Sequence, residues 1–217
     1  MTPPFRPCLL SGGASRRMGC DKALLTHPAG CTWLAHSLEL LVTLGQPVTL
    51  LSRHHRHLEL ARALAVGMGA GAASLTALEE PPPWQGPLRA LARLMEWYPN
   101  ERLLLCPVDM PWLDGASLRA LLAAAREPGG SPEPSAEAPI LLAHDGERLQ
   151  PLLGLYPAGA SRRRRLASQL ARGERRLQSW LAREAWRAVP LAPGPLRNVI
   201  RPEDLGPSLA HSPATGP

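Results

Sequence analysis

Four sets of residues in this chain are of the right type and spacing to handle an anion. Gly12 and Gly13 open a short loop in C-L-L-S-G-G-A-S-R-R-M-G-C-D-K-A-L-L, residues 8–25. Adjacent glycines let the backbone approach a ligand closely and reach unusual φ/ψ, and successive N–H groups in such a turn cradle phosphate oxygens. Arg16, Arg17 and Lys22 come next. They neutralise charge on a triphosphate, the arginines bidentately. Asp109 sits in P-V-D-M-P, held between Pro107 and Pro111. A carboxylate at the carboxyl end of a strand suits Mg²⁺, which takes few carboxylates and completes its shell with substrate phosphates. The Glu79–Glu80 pair follows a third apolar segment. Plainer readings stand beside these. The loop is also compatible with a glycine turn leading into a solvated cationic helix start, and Asp109 with an Asx turn or an N-cap. The loop is neither Walker A, lacking Gly-Lys-Ser/Thr, nor G-x-G-x-x-G, which argues against P-loop hydrolysis and against a dinucleotide dehydrogenase.

The elements that must position these residues alternate. Strands are predicted over 8–11, 48–52, 74–78, 102–106, 140–143, 150–156 and 189–191. Helices are predicted over 32–44, with Thr32 as N-cap, and over 53–65, 88–97, 117–126, 157–172 and 177–182, with a short one from Pro202 to Leu205. Strand–helix alternation at these lengths argues for an α/β fold with a mainly parallel sheet and helices on both faces. In such sheets the ligand lies at the carboxyl ends of the strands. The glycine loop, the Glu79–Glu80 pair and Asp109 all follow strands, so they converge there. His144-Asp145-Gly146-Glu147 reads as a hairpin turn. One domain is expected over 1–205, with a mobile loop at 127–139 and a disordered tail at 206–217.

Composition sets bounds. The chain has 217 residues and 45% hydrophobic content, enough for one α/β domain with a sizeable core. The net charge of +6 is carried by arginine, with Lys22 the sole lysine. It fits attraction to polyanions such as nucleotides, or a basic solvated surface from coding bias. Nucleic acid is disfavoured, because no aromatics interleave with the basic runs. The run Arg162–Arg165 wraps around a helix axis and reads as a solvated helix start. Cys8, Cys20, Cys31 and Cys106 have no CxxC spacing and read as buried free thiols in a reducing compartment. There is no signal-peptide pattern, and no apolar run approaches the roughly 18 residues of a membrane span. A soluble cytoplasmic protein is expected.

The blocks L-S-G-G-A-S-R-R-M-G-C-D-K-A-L-L, Q-G-P-L-R-A-L, P-V-D-M-P, H-D-G-E-R-L-Q-P-L, G-E-R-R and N-V-I-R-P-E-D-L, in this order across residues 8–205, resemble molybdenum cofactor guanylyltransferase. The resemblance implies a Rossmann-like three-layer nucleotidyltransferase fold. It implies transfer of GMP from GTP to molybdenum-bound molybdopterin with release of pyrophosphate and use of Mg²⁺. It also implies delivery of the product to molybdoenzymes or their chaperones. Carried over by position, Leu10, Ser11, Gly12 and Gly13 line the nucleotide, Arg17 and Lys22 hold the triphosphate, and Asp109 binds Mg²⁺. Ser52 stands where the family usually has an Asn that contacts the nucleotide, and Glu79–Glu80 where an Asp is usual. Arg175, Arg176 and Asn198 fall in blocks assigned to the molybdopterin side. The departures at Ser52 and Glu80 leave a cytidylyltransferase, or a non-catalytic nucleotide-binding carrier of the cofactor, as alternatives.

Overall fold

The computed structural model describes residues 5–13, 18–68, 74–126 and 138–205. Arg16, Arg17, most of the 127–139 loop and the 206–217 tail lie outside the described residues.

The order of elements is β1 (Phe5–Leu10), α1 (Trp33–Val42), β2 (Val48–Ser52), α2 (His55–Gly67), β3 (Leu75–Glu79), α3 (Pro87–Trp97) and β4 (Arg102–Pro107). Then follow α4 (Gly115–Ala124), β5 (Ile140–His144), β6 (Leu149–Pro157), α5 (Ala160–Ala171), α6 (Leu177–Leu181) and β7 (Trp186–Pro190). Among the described residues seven strands form one sheet in the order β3-β2-β1-β4-β6-β5-β7. Only β6 runs against the rest, pairing antiparallel with both β4 and β5. The hairpin expected around His144–Glu147 is the β5–β6 connection. The last strand begins earlier than predicted and pairs parallel with β5 from Ile140↔Trp186 to His144↔Pro190.

The strands read as near-continuous apolar runs because both faces are covered. Alternate residues divide between two cores. Leu9, Leu50, Leu104, Leu141 and Leu155 pack beneath α1, α2 and α4. Cys8, Leu51, Leu103, Leu105, Leu142 and Tyr156 pack beneath α3, α5 and α6. This is the three-layer arrangement the sequence predicts.

Local signals set the helix ends. Thr32 caps α1, its hydroxyl accepting from Ala35 N at 3.1 Å. Asp114 caps α4, accepting from Ser117 N at 2.7 Å. Helix α3 starts at Pro87, after Gly86 at φ +88, a value that favours glycine.

Two sequence expectations are corrected. Arg162 is buried, 1% exposed, because Glu184 folds back onto it, so the Arg162–Arg165 run is not wholly a solvated face. Cys8 and Cys106 are buried, but Cys20 is exposed and Cys31 half-buried, because both sit on the surface loops between β1 and α1. Among the described residues no helix is long and apolar enough to cross a membrane.

Candidate active site

Strands β1 and β4 are neighbours, and the strand order turns outward from that pair on both sides. The loops leaving their carboxyl ends therefore diverge and open a crevice, which is where doubly wound sheets hold ligands. A cavity of about 440 Å³ occupies it, lined in part by Leu10, Gly13, Lys22, Glu80, Gly86 and Asp109. That volume is within the range of small-ligand sites, roughly 300–1,000 Å³.

The end of β1 forms the floor. Ser11 N donates to Leu51 O at 3.1 Å, which carries the β1–β2 pairing one residue beyond the strand. Gly12 follows. A Cβ built on Gly12 would lie 2.8 Å from Glu80 Oε2, so a larger residue there would push the Glu80 side chain aside. Gly13 O lies 3.1 Å from His54 Nε2.

The far limb of the loop carries Lys22. Asp21 begins the 3₁₀ turn from Lys22 to Leu24, its Oδ1 accepting from Ala23 N at 3.1 Å. Lys22 Nζ donates to Val199 O at 2.7 Å and lies 3.5 Å from Asp109 Oδ2. Asp109 O accepts from Val199 N at 2.9 Å. The segment through Val199 thus ties the loop after β1 to the loop after β4. Burial raises the Asp109 carboxyl above the usual aspartate value, and the Lys22 ammonium opposes that shift. Among the described residues no group of three or more His, Cys, Asp or Glu side chains is placed to hold a metal ion. The donor set is one carboxylate, which fits a hard cation that brings its own waters and phosphate oxygens.

Glu80 forms the opposite wall. Its Oε1 accepts from Arg93 Nη1 at 2.7 Å, and Arg93 Nη2 donates to Pro83 O at 3.1 Å. Burial pushes its pKa up despite Arg93. Trp84 Nε1 donates to Glu80 O at 2.8 Å, which fixes the exposed indole at the rim with the Arg53 guanidinium 5.2 Å from its ring.

The structure thus gathers Leu10, Ser11, Gly12, Gly13, Lys22, Glu80 and Asp109 around one cavity. It leaves others outside. Ser52 is fully buried beneath the floor; its hydroxyl donates to Ser11 O at 2.9 Å and accepts from His54 N at 3.1 Å, so it braces Ser11 and does not line the cavity. Arg175 Nη1 donates to Leu170 O at 2.9 Å and Glu174 O at 2.7 Å, closing the end of α5. Its carbonyl nevertheless lies against Gly86 at the rim. Arg176 is exposed at the start of α6. Asn198 Nδ2 donates to Gln150 Oε1 at 2.9 Å, and Gln150 Nε2 to Asp145 Oδ2 at 2.9 Å. That chain of contacts joins the hairpin turn to the residue before Val199. Arg17 lies outside the described residues.

Sequence reasoning passed over Arg93, Trp84 and His57. Arg93 and Trp84 flank the Q-G-P-L-R-A-L block, and their nearness to Glu79–Glu80 was the available signal. His57 lies in a run of polar helix-start residues and carries no signal of its own.

The model of the MobA-like NTP transferase domain family matches residues 8–189. The chain is 36% identical over 216 residues to a protein of Rhodopirellula baltica named as a probable molybdenum cofactor guanylyltransferase, covering 94% of this chain and 92% of that one. It is 31% identical to another of the same name from Synechococcus elongatus, covering 87% and 89%. Among solved structures it resembles the molybdopterin-guanine dinucleotide biosynthesis protein A of Archaeoglobus fulgidus, with TM-score 0.65, 17% identity and coverage of 94% and 97%. It also resembles a 4-diphosphocytidyl-2C-methyl-D-erythritol synthase of Anaerococcus prevotii, with TM-score 0.68, 9% identity and coverage of 95% of both chains. The two solved folds are about equally near although their names point to different nucleotides, so the backbone alone does not choose the base.

Proposed function

The chain belongs to the MobA-like NTP transferase family, and from that membership we propose that it is a molybdenum cofactor guanylyltransferase: it transfers GMP from GTP to the phosphate of molybdenum-bound molybdopterin. The observation that carries the reading is the placing of Lys22 and Asp109, 3.5 Å apart, at the crevice between β1 and β4 with Glu80 on the opposite wall.

The reaction is an in-line displacement. A molybdopterin phosphate oxygen forms a bond to the α-phosphorus of GTP, the bond to the β-bridging oxygen breaks, and pyrophosphate leaves. The attacking phosphate is already ionised at neutral pH, so no general base is required. Catalysis of this kind is mostly positioning and charge stabilisation. Lys22 holds the triphosphate, a role the resemblance also assigns to Arg17. The backbone of Leu10 to Gly13 supports the nucleoside. Asp109 is the residue that would hold Mg²⁺, which when bound neutralises phosphate charge. The uncommitted Glu80 oxygen is an acceptor. Guanine offers N1–H and the 2-amino group together on one edge, whereas cytosine offers a single amino group among acceptors, so a carboxylate here favours GTP. Arg175, Arg176 and Asn198, outside the cavity lining, are the residues the resemblance assigns to molybdopterin, and in this reading they contact it.

Purified protein given Mg²⁺, molybdopterin and either GTP or CTP should release pyrophosphate with GTP. A clear preference for CTP, or no release with GTP, overturns the guanylyl assignment. Asp109→Asn should lower turnover by about 10²–10³, the usual cost of removing one preorganised charge contact.

A further inference from the structure

His57 is 1% exposed, lies among the residues at the floor of the cavity, and has no part in the chemistry above. Its ring joins three segments. Nδ1 lies 2.9 Å from Ser11 Oγ, 3.0 Å from Ser11 O and 3.0 Å from Ser52 Oγ, at the ends of β1 and β2. Nε2 lies 2.8 Å from Asp21 Oδ2 on the far limb of the glycine loop. Burial acts to raise the Asp21 carboxyl, but the His57 hydrogen bond and charge and the Ala23 N–H outweigh it and hold it below the usual value. Asp21 is therefore an ionised acceptor, and His57 Nε2 carries the hydrogen between them.

The other Asp21 oxygen caps the turn that begins with Lys22. One carboxylate thus faces the ring on one side and fixes the lysine's turn on the other. The turn's own backbone hydrogen bonds are long, Leu24 N to Asp21 O at 3.2 Å and Leu25 N to Lys22 O at 3.1 Å, as expected of a short 3₁₀ piece, so the carboxylate adds to them and to the burial of Ala23.

We propose that His57 is a positioning residue: through Asp21 it aims Lys22 at Asp109 and couples the nucleoside floor at Ser11 to the triphosphate cation. The proposal deepens the guanylyltransferase reading and rests on it for the identity of the phosphate that Lys22 meets. The aiming itself is independent of that identity.

Because Lys22 is the only lysine, its ε-amine can be followed without ambiguity, by trace acetylation and mass spectrometry of its peptide in the absence of substrate. In His57→Leu, which keeps bulk but removes both ring nitrogens, Lys22 should be acetylated several-fold faster than in the wild type. His57→Gln keeps an N–H donor and should stay near the wild-type rate. Leu58→Ala, a buried neighbour on α2, destabilises the same helix without touching Asp21 and should leave the rate unchanged. Turnover should follow the same order, with kcat in His57→Leu down by ~10² for a displaced charge and KM for GTP changed far less. Should His57→Leu fail to fold, Asp21→Asn at a partly exposed position carries the same expectation. Equal acetylation in the wild type, His57→Leu and Asp21→Asn would overturn the proposal. So would acceleration in Leu58→Ala equal to that in His57→Leu, because the effect would then be loss of stability alone. If acetylation responds as expected while wild-type protein releases no pyrophosphate from GTP, the aiming of Lys22 stands and the guanylyl reading falls.

Discussion

Among the described residues two buried arginine–glutamate pairs have similar length and opposite construction. Arg162 Nε donates to Glu184 Oε2 at 3.1 Å, and Arg165 adds two more hydrogen bonds to Glu184, at 3.0 and 2.8 Å, covering both oxygens. Arg162 also donates to Pro157 O and Ala138 O. Burial acts against the Glu184 charge, but the two arginines outweigh it and hold the carboxyl below the usual value. In the other pair Arg93 donates to Glu80 Oε1 alone, at 2.7 Å. Glu80 Oε2 faces Gly12, and no other described residue donates to it. Burial there outweighs Arg93, and the carboxyl is raised. The first pair is closed and joins α5 to the segment before β7. The second keeps one lone-pair oxygen turned toward the cavity at an energetic cost, since a buried charge with incomplete partners is destabilising. Such a cost is tolerable where a ligand supplies the missing donor.

The largest effect that would test this contrast is at the closed pair. Arg162→Met leaves Glu184 and two carbonyls buried with reduced pairing, and should cost about 3–5 kcal/mol of folding stability in urea denaturation. Protein that remains folded should bind GTP as the wild type does. If GTP binding fell with stability little changed, Arg162 would belong to the site and the contrast would be wrong. At the open pair the two readouts exchange places. Glu80→Gln keeps the shape and loses the charge, and should weaken GTP binding in calorimetry by roughly 1.5–3 kcal/mol, the value of a hydrogen bond to a charged group. Its stability should change by less than that, because burial already acts against the charge that the substitution removes.

The two pairs also mark what the sequence makes legible. The glycine loop and Asp109 are legible as a converging pair, because the rule for parallel sheets brings strand ends together and the structure places both on one cavity. The apolar runs at 48–52 and 102–106 give strands that match the structure to within a residue, since buried parallel strands need no polar alternation. The closed pair could not be read. Nothing in four consecutive arginines says that Glu184, 22 residues after Arg162, returns to cover the first of them. Ser52 hides its contact in the same way: the resemblance sets it where an Asn meets the nucleotide, yet its hydroxyl turns sideways to the neighbouring strand and satisfies Ser11 O. His57 depends on Asp21, 36 residues earlier. Contacts made through long sequence separation leave no local period or motif, so the residues that brace the site are the ones the sequence conceals.

The smallest effect is in acid, and it separates the pairs by sign. The native pKa of Glu184 lies below its unfolded value. Its contribution to stability is complete above the usual glutamate range and is lost as pH falls through the lower, native pKa, because the unfolded chain takes the proton first. The native pKa of Glu80 lies above its unfolded value. Its ionised form costs stability, and that cost is relieved as pH falls through the raised value, where the native state takes the proton first. Removing each group therefore changes the pH dependence in opposite directions. Glu184→Gln should make the fall in stability on acidification shallower in the region just below the usual glutamate pKa. Glu80→Gln should make it steeper just above. Urea denaturation repeated across the acid range measures both slopes. A change of the same sign in both variants would mean that Glu80 is as fully satisfied as Glu184, and that its second oxygen is not waiting for a ligand's donor.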